Sequence, residues 1–424
     1  MKIQKKKIKY ELIAPAGNMA KAKYALKYGA DSIYLGIPDF SLRVRINKFD
    51  EGGIEEMIDY AHKIGKKVYV TVNIHAHNRH INNLPNYLKQ INKWRADGVI
   101  VSDPGVITLA KKYCPKIPIH LSTQANCTNW QAAKFWFDLG IKRIVLGREV
   151  TLDEIREIKE RVPKLELEYF AHGAMCMSYS GRCLLSSFFV GRSANLGDCV
   201  QPCRWEYDYY IVDKKRPEKL MKVEEDTQGS YILNSKDLAL VKYIQELKEA
   251  GITSFKIEGR AKSVYYVSLV SKIYRKALNL KGKKSTNKKE LNKLFKELQT
   301  LTHREYTTGF LFGKEKVEQK YDKSHILTNF QFIGELNSKL KKSEVKKIKL
   351  KEGRYYKVKV HNELFVGDSI EIIQPKGDKV KIKLKNIYDT DGQAIKEAHG
   401  GQEKIIIVKI NKDIENMSIL RRKI

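Results

Sequence analysis

The chain has 424 residues, 42% of them hydrophobic, with 80 Lys and Arg against 49 Asp and Glu, a formal charge of +31. That length holds two or three domains and a large core. The absence of any run of about 18 apolar residues argues against a membrane span. The charged opening MKIQKKKIKYELIAPAG lacks the apolar core of a secretory signal. These features point to the cytoplasm, where thiols stay reduced and clustered cysteines are more often metal ligands than disulfides. The excess of basic residues suggests a polyanionic partner, nucleic acid first. AT-rich coding, which also enriches Lys, Ile, Asn and Tyr, is the competing explanation.

In chain order, residues 10–280 repeat one pattern: a short apolar run, a turn, then a helical stretch. The runs are Glu11–Ala16, Asp31–Gly36, Lys67–Ile74, Gly98–Asp103, Ile117–Thr123, Arg143–Gly147, Leu165–Phe170 and Ser254–Gly259. Helix-length segments lie between most of them: Asn18–Tyr28, Ile54–Ile64, Leu84–Ala96, Trp130–Leu139 and Leu152–Glu160. Alternating strands and helices imply parallel pairing, and eight units are the count of a (β/α)8 TIM barrel. An open doubly wound sheet is the alternative, but the first turn, APAGNM, has no G-x-G-x-x-G. KVYVTVNI and RIVLG read as apolar on both faces, as buried parallel strands should.

The seventh unit is abnormal. After Phe170 comes a Gly-, Ser- and Arg-rich stretch holding Cys176, Cys183, Cys199 and Cys203 in the spacing C-x6-C-x15-C-x3-C. The aromatic run Trp205–Val212 follows, and a helix is expected again near Lys236–Ala250. We read 171–230 as a Cys-rich insertion within a barrel domain of residues 1–280. Residues 281–330 form a Lys-rich connector with a helix near Lys289–Leu301 and the motif Thr302–Phe310. Residues 331–424 turn to short alternating strands: QFIGEL, KIKLKEG, YYKVKV, SIEIIQP, KVKIKLKNI and EKIIIVKI. They predict a small all-β barrel domain whose alternating lysines make a basic outer face. That face is either an RNA-docking surface or a solvated one protected from aggregation.

Four thiolates can bind zinc or hold a [4Fe–4S] cluster. Zinc sites use close C-x2–4-C pairs, and only Cys199/Cys203 is that close, so the spacing favours iron–sulfur. Gly181, Gly191 and Gly197 would let backbone approach the sulfurs. Cys114 and Cys127 read as core thiols. In a TIM barrel the reacting groups stand at the C-terminal ends of the strands, which here carry Asn73, Ser122, Gln124, Arg148, His172, Glu258 and Arg260. His172 is a candidate proton donor or substrate contact, or else a structural histidine. Glu168 and Glu258 are acids in apolar strands: catalytic, or paired with Arg182, Arg192 or Arg260. Arg148, Arg192, Arg260 and Arg304, with Gln124, could converge on an anionic substrate, since Arg grips carboxylate and phosphate bidentately. Neither H-E-x-x-H nor G-x-S-x-G occurs.

The residues Glu168, Phe170, Gly173, Ala174, Met175, Cys176, Gly181, Cys183 and Ser186 resemble the signature of the U32 "peptidase" (collagenase-like) family. ELIAPAGN at 11–18, GADSIYLG at 29–36, KIEGR at 256–260 and YTTGF at 306–310 extend the resemblance over nearly the whole chain. Length and the C-terminal domain make it most similar to the bacterial branch that installs 5-hydroxyuridine at the tRNA wobble position. The resemblance implies an RNA hydroxylase working without O2, with prephenate as cosubstrate and tRNA and the iron–sulfur assembly machinery as partners. It also implies a [4Fe–4S] cluster on Cys176, Cys183, Cys199 and Cys203. A metal- or thiol-dependent peptidase is the alternative enzyme, and an RNA-binding or cluster-carrying scaffold the non-enzymatic one.

Overall fold

The computed structural model describes residues 9–42, 48–176, 178–179, 181–205, 209–223, 235–282, 284–313, 326, 328–401 and 404–424. All eight expected apolar runs are strands of one closed parallel barrel. The first seven are β1 (Glu11–Pro15), β2 (Ser32–Gly36), β3 (Lys67–Val72), β4 (Gly98–Val101), β5 (Ile119–Leu121), β6 (Arg143–Val145) and β7 (Glu166–Ala174). A hairpin, β8 (Tyr209–Asp213) and β9 (Arg216–Val223), and the short β10 (Asp237–Ala239) precede the eighth barrel strand, β11 (Ile252–Ile257). Parallel pairing of β11 with both β1 and β7 closes the ring, with Glu11 opposite Ser254 and Lys256 opposite Phe170.

Six helices alternate with the first seven strands: α1 (Met19–Lys27), α2 (Glu51–Lys63), α3 (Asn78–Trp94), α4 (Pro104–Tyr113), α5 (Trp130–Asp138) and α6 (Leu152–Arg161). Most start where a side chain can cap the free amides of a first turn. Asn18, Asp50, Asp103, Asn129 and Thr151 each accept from the amide three residues on, and Glu154 returns the bond to Thr151. Their apolar faces pack on outward residues of the strands, such as Leu12, Ala14, Ile33, Leu35, Val68 and Val70.

The inside of the barrel is less apolar than the sequence suggests. One small layer is Ile13, Tyr34, Tyr69 and Ile100. Beside it lies an ionic network. Glu168, fully buried, accepts from Lys256 Nζ at 2.7 Å, Ser254 Oγ at 3.1 Å and Arg143 Nη1 at 3.2 Å. Arg143 also pairs with Glu11 at 2.7 Å and Glu166 at 2.8 Å. The run RIVLG, read as apolar on both faces, thus turns its arginine inward, and the partners of Glu168 are Arg143 and Lys256 rather than Arg182, Arg192 or Arg260.

The seventh strand runs four residues past Phe170, so His172 belongs to a strand. Its extension pairs antiparallel with β10, which in turn pairs with β12 (Tyr306–Thr307) from the THREYTTGF motif. The cysteine stretch contains one short helix, α7 (Leu185–Val190). After β10 come α8 (Ile244–Glu249), then α9 (Val264–Asn279), which is almost wholly buried, and α10 (Lys284–Leu298) packed on it.

Beyond residue 328 lies an eight-stranded antiparallel sheet. Phe330–Lys339 lies near its centre, between Ser418–Lys423 and Tyr355–Val360. KVKIKLK alternates as expected: Ile382 and Leu384 turn toward the core while Lys381, Lys383 and Lys385 are exposed. KIKLKEG, expected as a strand, is not one. Glu344 accepts from the Lys341 amide at 2.7 Å and starts the helix Lys342–Lys347, placing Val345 and Ile348 on one apolar cluster. The sheet is bolted to the barrel: Tyr28 Oη donates to the carbonyls of Ile373 and Met417 at 2.7 and 2.9 Å, and Tyr265 stacks on Phe332. Arg421, fully buried, donates to Tyr265, Thr300, Glu297 and Glu371. No helix among the described residues is long and apolar enough to cross a membrane.

Candidate active site

Two adjoining cavities, each of about 110 Å³, occupy the C-terminal end of the barrel. The first is the barrel mouth, lined among others by Tyr34, Asn73, Ser122, Arg148, Lys256, Glu258 and Arg260. The second lies under the cysteine loop and is lined by all four loop cysteines. Leu42, Gln124, Arg148 and Cys176 line both, so the two are one site.

Three cations and one carboxylate face the mouth. The Arg148 guanidinium carbon lies 3.8 Å from the centroid of the Phe170 ring, a cation–π contact at the edge of the cavity. Arg260 is held by the carbonyl of Leu42 and by Thr71 Oγ1. Lys256 is held by Glu168 from below. Burial alone would raise the Glu168 pKa, but Lys256 and Arg143 together hold it down at about 2, while burial lowers that of Lys256 and Glu168 opposes the fall. Amides and hydroxyls stand between the cations: Asn73 Nδ2 donates to Ser122 Oγ at 3.2 Å. The arrangement suits an anionic ligand with a flat polar body.

The cysteine loop is braced by its own polar contacts and by the barrel rim. Ser186, fully buried, accepts from the Val200 amide at 3.2 Å and lies 3.8 Å from Cys199 Sγ. Asn195 O accepts from the His75 amide at 3.0 Å. Gly181, at φ 77°, presses its backbone so closely on the carbonyl of Gln124 that a side chain there would collide with it. The thiol cavity has no carboxylate or imidazole among its described lining residues. A zinc ion with four sulfurs at 2.3 Å needs them about 3.8 Å apart. No three His, Cys, Asp or Glu among the described residues converge tightly enough for a single ion. The four thiols lining one cavity are a donor set that an iron–sulfur cluster could use. Cys114 and Cys127 stand apart in the core, where burial pushes their thiols up to about 11 and about 12.

The remaining expected site residues are placed elsewhere. His172 does not line either cavity. It sits in a cage of Tyr266, Tyr274 and Tyr306, with ring centroids 5.4–5.7 Å away. Burial pulls its pKa down to about 3, so it is a neutral packing residue at pH 7. Glu168 lies below the mouth and acts on Lys256. Arg192 turns away to pair with Asp198 at 2.6 Å. Arg304 is buried behind the loop against Asp237, its Nε 3.1 Å from the carboxylate. Glu258, Gln124, Arg148 and Arg260 do line the mouth. Lys256 was not singled out from the sequence; a lysine in an apolar strand two residues from Glu258 was the available signal.

Residues 17–321 match Peptidase family U32, and residues 328–421 match Peptidase family U32 C-terminal domain. The chain is 36% identical to "tRNA hydroxylation protein P" of Escherichia coli, over 98% of this chain and 97% of that protein. It is 36% identical to "tRNA hydroxylation protein P1" of Bacillus subtilis, over 98% and 95%. Identity to a protein of Porphyromonas gingivalis named "Collagenase" is 29%, over 94% and 95%.

Proposed function

From a chain that belongs to peptidase family U32 and matches tRNA hydroxylation proteins along its whole length, we infer an RNA-hydroxylating enzyme acting on tRNA. In its finer form the reading is conversion of wobble uridine to 5-hydroxyuridine without O2, with a [4Fe–4S] cluster on Cys176, Cys183, Cys199 and Cys203 and prephenate as cosubstrate. The observation that carries it is the continuity of the site: Gln124, Arg148 and Cys176 belong both to the thiol cavity and to the cationic barrel mouth.

When bound, the cluster would supply one-electron transfer chemistry beside the base. The protein's residues do the rest. Arg148, Lys256 and Arg260 neutralise a carboxylate or phosphate, and Glu168 keeps Lys256 charged in a buried place. Asn73, Ser122 and Gln124 offer donors and acceptors of the kind that read the edge of a uracil turned out of its stack. An anticodon-loop base is already partly unstacked, which lowers the cost of entry. The exposed Lys381, Lys383 and Lys385 of the C-terminal sheet supply phosphate contacts at a distance.

A peptidase reading lacks its machinery. The thiol cavity holds no imidazole or carboxylate base among its described lining residues, and His172 is neutral and caged outside it. Nucleoside mass spectrometry of tRNA from a deletion strain tests the proposal, and loss of 5-hydroxyuridine is expected. An unchanged nucleoside profile overturns it. Anaerobically purified protein should be brown and contain about four irons per chain. Colourless protein with stoichiometric zinc removes the cluster, and hydroxylation indifferent to added prephenate removes the cosubstrate.

A further inference from the structure

The cysteine loop carries a feature that reaches well beyond the two cavities. Of the fourteen exposed large hydrophobic side chains among the described residues, six fall within it: Tyr179, Leu184, Phe188, Phe189, Val190 and Trp205. Phe188 is 82% exposed, Leu184 69% and Tyr179 55%. Three of them are gathered into one aromatic cluster. The rings of Phe188 and Phe189 meet edge-on at 5.3 Å, and Phe189 lies 6.2 Å from Trp205. The patch continues into the site, because Tyr179 and Leu185 line the thiol cavity. A contiguous apolar patch of this kind marks a binding surface.

Charge says what binds there. Between Met175 and Trp205 the charged residues are Arg182, Arg192, Arg204 and Asp198. Arg192 and Asp198 pair with each other, so Arg182 and Arg204 are the cations the loop offers beside its rings. Elsewhere Lys far outnumbers Arg; here every basic residue is Arg, the side chain that both grips phosphate and stacks on bases. Exposed aromatic rings beside arginines are the equipment of single-strand nucleic-acid binding, where bases stack on rings irrespective of sequence.

We propose that Phe188, Phe189 and Trp205 form a stacking platform for the nucleotides flanking the target base, with Arg182 and Arg204 on the backbone phosphates. This rests on the tRNA reading above and names how single-stranded RNA is held there. A base drawn into the barrel mouth leaves its neighbours without a stacking partner, and the platform replaces that partner.

The test uses the cluster-loaded full chain and a synthetic anticodon stem-loop, with binding followed by fluorescence anisotropy across a salt series. Phe188→Ala should weaken binding roughly tenfold or more, the loss typical of one base–aromatic stack. The salt slope and binding to a blunt RNA duplex should stay unchanged, and Phe188→Trp should restore affinity. On tRNA, KM should rise while kcat holds. The high exposure of Phe188 leaves the fold indifferent to these changes, and the iron content of each variant checks it. Equal affinity of wild type and Phe188→Ala, with wild type still hydroxylating tRNA, refutes the platform and leaves the tRNA reading standing. A wild-type protein that neither binds nor modifies tRNA refutes both. A dimer-to-monomer shift on light scattering, or lost binding to anionic phospholipid vesicles, with RNA affinity unchanged in Phe188→Ala, would assign the face to a second copy or to a membrane and overturn the proposal.

Discussion

His172 and Glu168 show how much a residue's surroundings decide its role. Both stand on β7, four residues apart, and both lose water on folding. Glu168 gains two cations and stays charged; His172 gains three tyrosine rings and stays neutral. Their pH signatures follow. The folded-state pKa of Glu168 is depressed to about 2, so its contribution is complete above its ordinary value near 4.5 and is lost as pH falls toward 2. His172 is depressed to about 3, so the unfolded chain takes up its proton first and stability falls as pH drops from about 6.5 toward 3. His172→Phe should therefore flatten the stability curve between pH 6.5 and 4.5, a change of up to about 3 kcal/mol over that interval, measured by urea denaturation. An unaltered slope would show that His172 titrates normally. Glu168→Gln leaves Lys256 without its carboxylate and Arg143 with only Glu11 and Glu166, and should destabilise by about 3–5 kcal/mol at pH 7. The sequence offered a paired Glu168 and a structural His172 among the readings, but could not choose, because a pKa depends on neighbours such as Lys256 and Tyr274 that lie far along the chain.

At the scale of the element, the eight strands could be read because each has an apolar signature and most have a capped helix after them. The arginine of β6 was misread because a three-residue strand has too few positions to show which face is inward. The cysteine loop was legible as a site through its spacing, but not the division of labour among its arginines. Arg192, expected at the substrate, instead ties the loop to itself through Asp198. Two substitutions separate the loop's tasks. Cys176→Ala should abolish bound iron and hydroxylation together; a full complement of iron would remove Cys176 from the ligand set. Gly181→Ala forces the loop off Gln124 and adds strain at a positive φ of about 1 kcal/mol. It should lower kcat/KM while the barrel's unfolding midpoint stays put, since the contact lies on the rim and not in the core. An equal loss of stability would mean that the loop is part of the barrel's support.

Taken whole, the molecule is two sheets joined through buried polar bolts. The C-terminal sheet was recognised by its alternation, yet its strand Ser418–Lys423 was not, because SILRRK has two arginines where an alternating pattern would show one. Arg421 is inward regardless, since Glu297 and Glu371 are there to meet it at 2.6 and 2.7 Å. Arg421→Met should cost about 3–5 kcal/mol by leaving those carboxylates without their partner, and should split thermal unfolding into two transitions. A single transition at the wild-type temperature would show that the bolt carries no weight. Neutralising Lys383 and Lys385 to Gln should weaken tRNA binding and lower its salt slope by roughly one per lysine; unchanged binding would leave coding bias as the explanation of that face.

The place of Ser418–Lys423 in the sheet has a further consequence for the cell. It is synthesised after both of its neighbours, yet it fills the gap between Phe330–Lys339 and Ser369–Ile373. Until it arrives, both neighbours are open edges, the form in which β-strands recruit one another between molecules. A message broken, or a ribosome stalled, shortly before Ser418 would release a chain with a closed barrel and a split sheet. Such a product would be prone to clump and easily digested, so the same strand that fastens the two halves also makes incomplete chains conspicuous to proteolysis.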